Sequence, residues 1–314
     1  MQPSRRAFLL GRPAPRTPWQ VFCHSLRRVC DGELKSMHAG VPAADTSGTA
    51  VSPAADDAVP QAAWTPLATA DVRQARALCA EHGIQLALAG STVSTEGRPV
   101  LWVDPARLDR LVREPGPVPR WRAGPGVTLG ELAQAGLRQF AGAAPGRTLA
   151  AWFADRDAAA WPPGRGDLSG VHAADVLLAD GVADTLGPFG ADDGLPLRSA
   201  ALQQLVPALF RMAGAAEAQW CREQPAWPAH YRLDALLPQA PATLNLARML
   251  HGHAGTLAWL ESLVLEPVPI GSAVAEQAGA AARADACLPP AQARALDRRV
   301  KSHFDPAGVF PELA

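Results

Sequence analysis

Proline and glycine constrain this chain more than any other feature of its sequence. The 314 residues include 30 prolines and 27 glycines, and both residue types interrupt the interiors of helices and strands. No apolar stretch approaches the roughly 18 residues of a membrane-spanning helix. The pattern predicts a globular protein of short elements joined by many turns, without an integral membrane segment.

The charge balance argues against a nucleic-acid partner. Lys and Arg number 29 against 30 Asp and Glu, for a formal net charge of -1. Proteins that bind nucleic acids derive much of their affinity from positive charge that neutralises phosphates. A hydrophobic content of 48% fits a protein with a sizeable core.

Cysteine usage and the N-terminus bear on the compartment. The five cysteines are scattered and form no CxxC pair, so we expect buried thiols, no metal site and a reducing environment. Residues 4–10 (SRRAFLL) resemble a twin-arginine export motif, but Gly11 and Pro13 follow and an apolar h-region is missing. We therefore expect a cytoplasmic protein, with twin-arginine export to the periplasm as the alternative.

Composition divides the chain into four segments. Residues 1–35 are basic and contain a short amphipathic helix, and residues 36–63 lack large apolar side chains and predict a disordered linker. Order is expected to begin near Trp64 and to continue to residue 270 as one domain. Residues 271–314 are expected to be a helical segment followed by a C-terminal motif.

Helix and strand patterns alternate from Trp64 onward. Apolar spacing predicts a helix over 71–82 that Gly83 ends, and alternation predicts a buried strand over 84–89. Further elements are expected in this order: a strand over 100–103, a short helix over 105–112, a strand over 120–123 and a helix over 128–139. Such alternation of short units indicates an α+β or α/β class.

Several motifs then occur in a fixed order. They are LALAGSTVS (86–94), AGPGVTLGEL (123–132), PGRTLAA (145–151), DVLLADG (175–181), YRLDALL (231–237), LHGHAGTLA (250–258) and VKSHFDPAGVF (300–310). Together they resemble the FAD-binding domain of the vanillyl-alcohol oxidase and p-cresol methylhydroxylase (PCMH) type. Within that group the chain is most similar to the glycolate oxidase FAD-binding subunit and the D-lactate dehydrogenase flavoproteins.

The resemblance implies a fold and an activity. The fold would be an α+β, PCMH-type domain of two α/β subdomains, with a small parallel sheet and a larger mixed or antiparallel sheet flanked by helices. The activity would be that of an FAD-dependent oxidoreductase acting on the CH–OH group of a 2-hydroxy acid such as glycolate or lactate. No His occupies the Gly/Ser loop, so non-covalent FAD is expected.

The first cofactor contact is expected at a loop of small residues. Successive backbone N–H groups in a tight loop can bind a pyrophosphate, and a large side chain would keep the phosphates away. The loop meets that need with Gly90, Ser91, Thr92, Val93 and Ser94. The glycolate oxidase flavin subunit has a similar Gly-Ser-x-Ser loop. Taken without the resemblance, an ordinary polar hairpin loop is the favoured explanation of the segment.

Two further contacts are implied by the resemblance alone. The flavin-ring and pyrophosphate contacts would be Pro145, Gly146, Thr148, Leu149, Ala150 and Ala151, and the adenine contacts would be Gly170, Val171 and Val176. The Gly-Gly pair of the family is replaced here by Ala150 and Ala151, and Trp152 and Phe153 stand where family members are usually small. A core strand after a turn explains the adenine segment equally well.

Two other residue types invite a chemical interpretation. His251 and His253 form an HxH pair, but no third ligand stands at matching spacing, so we expect no metal there. Tyr231 is the single tyrosine and lies where the family often has one near its flavin. It is the candidate catalytic residue, as a proton donor or ring contact, against the alternative of a buried structural tyrosine.

The short distance between the last motifs bears on the substrate site. Family members insert a substrate-binding cap domain there, whereas only residues 270–298 fill the gap here. A partner subunit, as in glycolate oxidase, would then complete the site for a small hydroxy acid. The alternative is a degenerate, non-catalytic homologue, a binding or assembly subunit without flavin, in which Trp152 or Phe153 plugs the channel between the Gly90 loop and Ala150.

Overall fold

Two sheets form the frame of the molecule in the computed structural model, which describes residues 17–37, 59–159, 161–190, 197–268 and 290–314. In chain order the helices are α1 (Pro18–Val29), α2 (Thr69–His82), α3 (Leu129–Gln134), α4 (Leu149–Ala154), α5 (Ala200–Ala213), α6 (Ala216–Arg222) and α7 (Ala291–Phe304). The strands are β1 (Gly32–Met37), β2 (Gln61–Pro66), β3 (Gln85–Leu88), β4 (Val93–Ser94), β5 (Val100–Val103), β6 (Leu111–Glu114), β7 (Arg120–Ala123), β8 (Val171–Leu177), β9 (Ala183–Leu186), β10 (Trp259–Leu265) and β11 (Glu312–Leu313).

The smaller sheet has a parallel core. Its strand order is β1-β2-β5-β3, in which β5 pairs in parallel with both β2 and β3 and β1 adds an antiparallel edge. All residues of β3 are buried, as is typical of a parallel strand covered on both faces. At its C-terminal end the chain leaves this strand directly into the Gly90 turn.

The larger sheet is antiparallel and has the order β6-β7-β10-β8-β9. Its central strand β10 is almost wholly buried and pairs with β7 on one side and β8 on the other. One apolar core joins this sheet to the smaller one and to the surrounding helices. The α+β class and the predicted pair of a small, largely parallel sheet and a larger antiparallel sheet are therefore confirmed.

Helix α1 confirms the amphipathic helix that was predicted in the basic N-terminal segment. Thr17 and Gln20 cap its first turn reciprocally, with N–O distances of 3.2 and 3.1 Å. Its apolar face is buried, and Phe22 packs edge-on against His82 of α2. Order thus begins well before Trp64, contrary to the expectation from composition.

The predicted linker over 36–63 is wrong at both ends. Residues 36–37 belong to β1 and residues 61–63 to β2, and these two strands pair with each other along their whole length. Backbone hydrogen bonds hold β1 although its side chains are mostly exposed, so its composition gave no apolar pattern. The middle of the predicted linker and the export-like motif at 4–10 lie outside the described residues.

Two predicted helices are shorter than expected. The helix expected over 105–112 is a 3-10 turn, Pro105–Arg107, after which the chain enters β6 and pairs with β7. The helix expected over 128–139 ends at Gln134, because Gly136 has a φ of 99° in the left-handed region. By contrast, Gly83 ends α2 in the left-handed conformation, as predicted.

The C-terminal motif returns to the smaller sheet. Strand β11 pairs with β4 just beyond the Gly90 turn. Lys301 of α7 is buried and donates to Asp305, Thr256 and Phe310, with Nζ–O distances of 2.6, 2.8 and 3.1 Å. This buried ammonium therefore fixes the chain end beside the turn that contains His251 and His253.

Candidate functional site

The Gly90 turn lies at the C-terminal end of a buried parallel strand. Gly90 has a φ of 80°, and a Cβ added to it would meet nothing within 4 Å. The residue is exposed. The turn therefore leaves room for a ligand to approach the backbone, which is the property that a pyrophosphate-binding loop requires.

The other residues of the loop are partly engaged with protein. Ser91 Oγ donates to the Leu88 carbonyl at 2.7 Å, and Val93 and Ser94 form β4 against the C-terminal strand β11. Thr92 is exposed. Of the predicted loop contacts, Gly90 and Thr92 are thus the two that face solvent most openly.

The segment before α4 is an exposed turn. Pro145 and Gly146 are exposed, and a Cβ on Gly146 would meet no atom within 4 Å. Thr148 caps α4 by accepting from the Ala151 amide at 3.3 Å. Two short segments of the predicted site, the Gly90 turn and the Gly146 turn, therefore have open space around them.

The first backbone amides of helix α4 all have hydrogen-bond acceptors within the protein. The amides of Leu149 and Ala150 donate to the carbonyls of Val127 and Pro125 at 2.7 and 2.9 Å. The Ala151 amide is used by the Thr148 cap. Ala150 is buried and Ala151 is half-buried, so this segment offers a ligand a methyl group rather than a free N–H donor.

An aromatic cluster lies against the C-terminal half of α4. It consists of Phe140, Trp152, Phe153, Trp161 and His251, and all of these side chains are buried. His251 is at its centre, with ring centroids 4.5 Å from Trp152, 4.8 Å from Trp161 and 5.1 Å from Phe153, mostly edge to face. Trp152 and Phe153, the two large residues of α4, therefore pack inward.

His251 has no polar partner in this cluster. Both ring nitrogens are buried and make no hydrogen bond to any described residue, and the indole nitrogen of Trp161 is in the same situation. Burial, followed by the repulsion of Arg232, lowers the pKa of His251 well below its usual value. The imidazole is thus neutral, and buried polar atoms of this kind normally have a partner.

The turn after His251 connects α4 to β3. The amides of Gly252 and Ala254 donate to the carbonyls of Phe153 and Ala154 at 2.8 and 2.9 Å. A Cβ on Gly255 would lie 3.0 Å from Leu88 Cβ, so the turn touches the end of β3. Protein atoms therefore occupy the space between α4 and the strand that leads into the Gly90 turn.

His253 is buried near this turn and is held differently. Its Nδ1 accepts from the Gly255 amide at 3.2 Å, which fixes the ring. Burial lowers the pKa of His253 to about 4. Within the described parts of the chain no three His, Cys, Asp or Glu side chains are grouped so that they could hold a metal ion.

Tyr231 is fully buried rather than exposed to a ligand. Its hydroxyl lies 2.7 Å from Thr256 Oγ1. Thr256 Oγ1 in turn donates to the His253 carbonyl at 2.6 Å. The Tyr231 hydroxyl must therefore donate to Thr256. Burial raises its pKa well above the usual value. This geometry favours the structural alternative for Tyr231 over a proton donor.

The adenine contacts implied by the resemblance lie within packed protein. A Cβ on Gly170 would lie 2.5 Å from both Gln139 Nε2 and the Glu266 carbonyl oxygen. Val171 and Val176 are buried in β8. Their role as adenine contacts stays a prediction, and their positions equally suit the core-strand alternative.

These positions allow a test of whether the chain fits FAD. At one end the Gly90 turn leaves the open backbone that a pyrophosphate needs. At the other end α4 has no free amide, and Trp152 and Phe153 pack into the aromatic cluster. The Gly90 turn therefore has room for a pyrophosphate, with the Ser91 amide already donating to the Leu88 carbonyl at 3.2 Å, and the segment at α4 offers a flavin ring only the half-buried surface of Ala151.

Sequence reasoning did not find His251 as the centre of a cluster. The sequence indicated Trp152 and Phe153 as departures from the resembled family. His251 was predicted only as part of a turn motif. The contact with Trp161 could not be read from spacing, because it depends on how the loop after α4 folds back. The four described cysteines, Cys23, Cys30, Cys79 and Cys221, are free and buried, as expected.

The comparisons with known proteins found solved structures only. No protein-family model matches the chain, and no curated protein matches it. A carbohydrate oxidase from Microdochium nivale is 14% identical with a TM-score of 0.41, over 79% of this chain and 44% of that one. The wild-type BBE-like 1 protein of Physcomitrella patens is 13% identical with a TM-score of 0.40, over 78% of this chain and 44% of that one.

A glucooligosaccharide oxidase from Acremonium strictum, described with a 6-S-cysteinyl, 8α-N1-histidyl FAD, is 15% identical with a TM-score of 0.37, over 65% of this chain and 34% of that one. The chain thus spans less than half the length of each of these structures. Such scores do not establish membership of a family. Among the described helices none is long and apolar enough to cross a membrane.

Proposed function

We propose that this chain is a flavoprotein of the vanillyl-alcohol oxidase and PCMH type that binds FAD non-covalently. The observation that carries the proposal is the Gly90 turn, a left-handed glycine with open space around it at the C-terminal end of a buried parallel strand. It stands at the start of the ordered motifs that resemble this type. The two-sheet frame is the one that the resemblance implied.

The activity proposed for the bound cofactor is oxidation of the CH–OH group of a 2-hydroxy acid such as glycolate or lactate. FAD supplies the redox chemistry when it is bound, and the protein holds and orients it. The residues proposed to hold the pyrophosphate are those of the Gly90 turn, and the Gly146 turn lies open as a second contact. A partner subunit is proposed to complete the substrate site.

A second candidate is a non-catalytic homologue that serves in binding or assembly without flavin. The observation that favours it is that the first amides of α4, those of Leu149, Ala150 and Ala151, all donate to protein acceptors. Trp152 and Phe153 are buried against His251. A flavin ring placed at this segment would clash with these packed side chains.

The visible absorption spectrum of the purified protein separates the two candidates. We expect a flavin spectrum that remains with the protein through gel filtration, as isolated or after incubation with FAD. Protein that stays colourless after saturation with FAD would instead support the flavin-free homologue.

The substrate class needs its own measurement. A tagged chain would be isolated from its native cells together with any bound subunit, and dye reduction would be followed with glycolate and with lactate. Activity that depends on one of these acids supports the proposal. A flavin-containing complex that oxidises neither acid would remove the hydroxy-acid assignment and leave FAD binding in place.

A further inference from the structure

The two edges of the smaller sheet differ in how they are covered. At the β3 edge, the Leu86 amide donates to the Val309 carbonyl at 2.9 Å, so the C-terminal segment covers that strand. At the other edge, β1 pairs with β2 alone. Within the described residues no backbone group on the outer side of β1 has a hydrogen-bond partner. Such a row of free N–H and C=O groups is a template for pairing with a further strand.

The outer edge of β1 is regular and electrically neutral. The strand contains no proline and pairs with β2 along its whole length without a bulge. A lysine on an edge strand normally opposes pairing through its charge. Here Glu33 stands two residues before Lys35, and its Oε1 lies 3.0 Å from the Lys35 Nζ. The charge that would keep another strand away is therefore cancelled within β1 itself.

The two faces of β1 differ in character. Leu34 is half-buried and packs against the apolar core. Side chains of a strand alternate between its faces, so Glu33 and Lys35 lie on the opposite face, where their side chains are 65% and 69% exposed. A strand that docks beside β1 would therefore meet a leucine on one face and both charges on the other.

A second copy of the same strand matches both faces. Backbone groups of a strand point alternately to its two sides, so a symmetric antiparallel pair must be centred on one residue. With Leu34 opposite the partner's Leu34, Glu33 faces the partner's Lys35 and Lys35 faces the partner's Glu33. Side chains directly opposite each other have Cβ atoms about 4.5–5.5 Å apart, which is within reach of an ion pair. Two-fold symmetry therefore gives two ion pairs on one face and a leucine contact on the other.

The neighbouring registers of this pair are unfavourable. A pair centred on Glu33 places two carboxylates opposite each other, and a pair centred on Lys35 places two ammonium groups opposite each other. Like charges directly opposite destabilise a sheet. Centres at Gly32 or Ser36 leave most of the strand unpaired. The charges of β1 therefore select one register, and they select a second copy of this chain as the partner.

We propose that this chain forms a two-fold symmetric dimer in which the β1 strands of two copies pair antiparallel, centred on Leu34. The two four-stranded sheets then form one continuous sheet across the dimer. An isologous contact of this kind is closed, because each copy uses the same edge and leaves no open β1 edge for further growth. The dimer requires neither FAD nor another subunit, so its test is independent of the proposed flavin function.

Sedimentation velocity of the full chain, over a range of concentrations at low ionic strength, tests the dimer. The E33K variant turns both ion pairs into repulsive pairs, so its dimer should dissociate about tenfold more readily than that of the wild type. The E33K/K35E variant exchanges the two charges and should restore dimerisation. The E81K control makes the same charge change at an exposed residue of α2 and should dimerise like the wild type.

A mixture of the E33K and K35E variants tests the register itself. Each variant repels its own copy, whereas every cross-strand charge pair between the two variants is attractive, so we expect a heterodimer about tenfold tighter than either homodimer. A wild type that remains monomeric at about 0.5 mM would overturn the proposal. Equal dimerisation by E33K and the wild type would place the interface elsewhere and overturn it too, as would failure of both E33K/K35E and the mixture to restore pairing.

Discussion

The Gly90 turn and helix α4 were both expected to contact the same cofactor, yet they differ in exposure and in the space around their small residues. The turn is exposed and has open space where a side chain would stand. The helix has small residues at Ala150 and Ala151 too, but its amides are used and its neighbours are buried rings. Small residues leave a cavity only where no larger neighbour fills it.

Replacing a ring of the aromatic cluster should have the largest effect on stability. Phe153→Ala removes a fully buried side chain that contacts His251 and His253. We expect a loss of about 3–5 kcal/mol in the free energy of unfolding, because a cavity forms in the core. Urea denaturation measures it. Thr92→Ala in the exposed loop is the control and should change stability by about 0.5 kcal/mol or less. A small loss for Phe153→Ala would show that α4 is less tightly packed than described.

The burial of His253, which packs against Phe153 of α4, should also make stability depend on pH. Burial lowers the pKa of His253 to about 4, so between about pH 4 and 6.5 the unfolded chain binds a proton that the native state does not. Stability from this group is fully present above pH 6.5 and is lost as pH falls towards 4, by about 3 kcal/mol.

The His253→Asn variant isolates this effect. An amide oxygen can accept from Gly255 as the imidazole does, but it does not titrate. Burial raises the pKa of Asp297 to about 6, which favours folding as pH falls. That contribution is common to both proteins and cancels in the difference. The free energy of unfolding of both proteins is measured between pH 7 and 4. A difference between them that stays constant over this range would contradict the assignment.

Removing the unpartnered nitrogens should stabilise the cluster. His251→Phe keeps a ring against Trp152 and Trp161 but eliminates two buried polar atoms without partners. We expect a gain of about 1–2 kcal/mol at pH 7, because the desolvation of those atoms is no longer required. Thermal denaturation measures the change. Destabilisation of similar size would indicate that the nitrogens have a polar partner in solution.

Much of the frame could be predicted from the sequence, because it depends on local signals. Gly83 marked the end of α2, and the apolar run before Gly90 marked β3. Strand β1 could not be predicted, since its exposed residues lack alternation and its pairing with β2 bridges residues far apart in the chain. Short-range patterns contain no information on such pairing.

The candidate site divides in the same way. The left-handed Gly90 turn follows from a glycine placed directly after a buried strand. The aromatic cluster does not follow from any local pattern, because Phe140, Trp152, Trp161 and His251 come from separate segments of the chain. Predicting it requires the packing of the turn after His251 against α4.

Binding of FAD by wild-type protein and by Gly90→Val tests the central claim most directly. Quenching of flavin fluorescence would be followed during titration with protein, and Gly136→Val serves as the control, since Gly136 also has a positive φ, 99°, and open space around it. We predict saturable binding to the wild type and the control, and loss of binding in Gly90→Val, whose side chain fills the approach to the backbone. No binding to the wild type, or equal binding by all three proteins, would contradict the account.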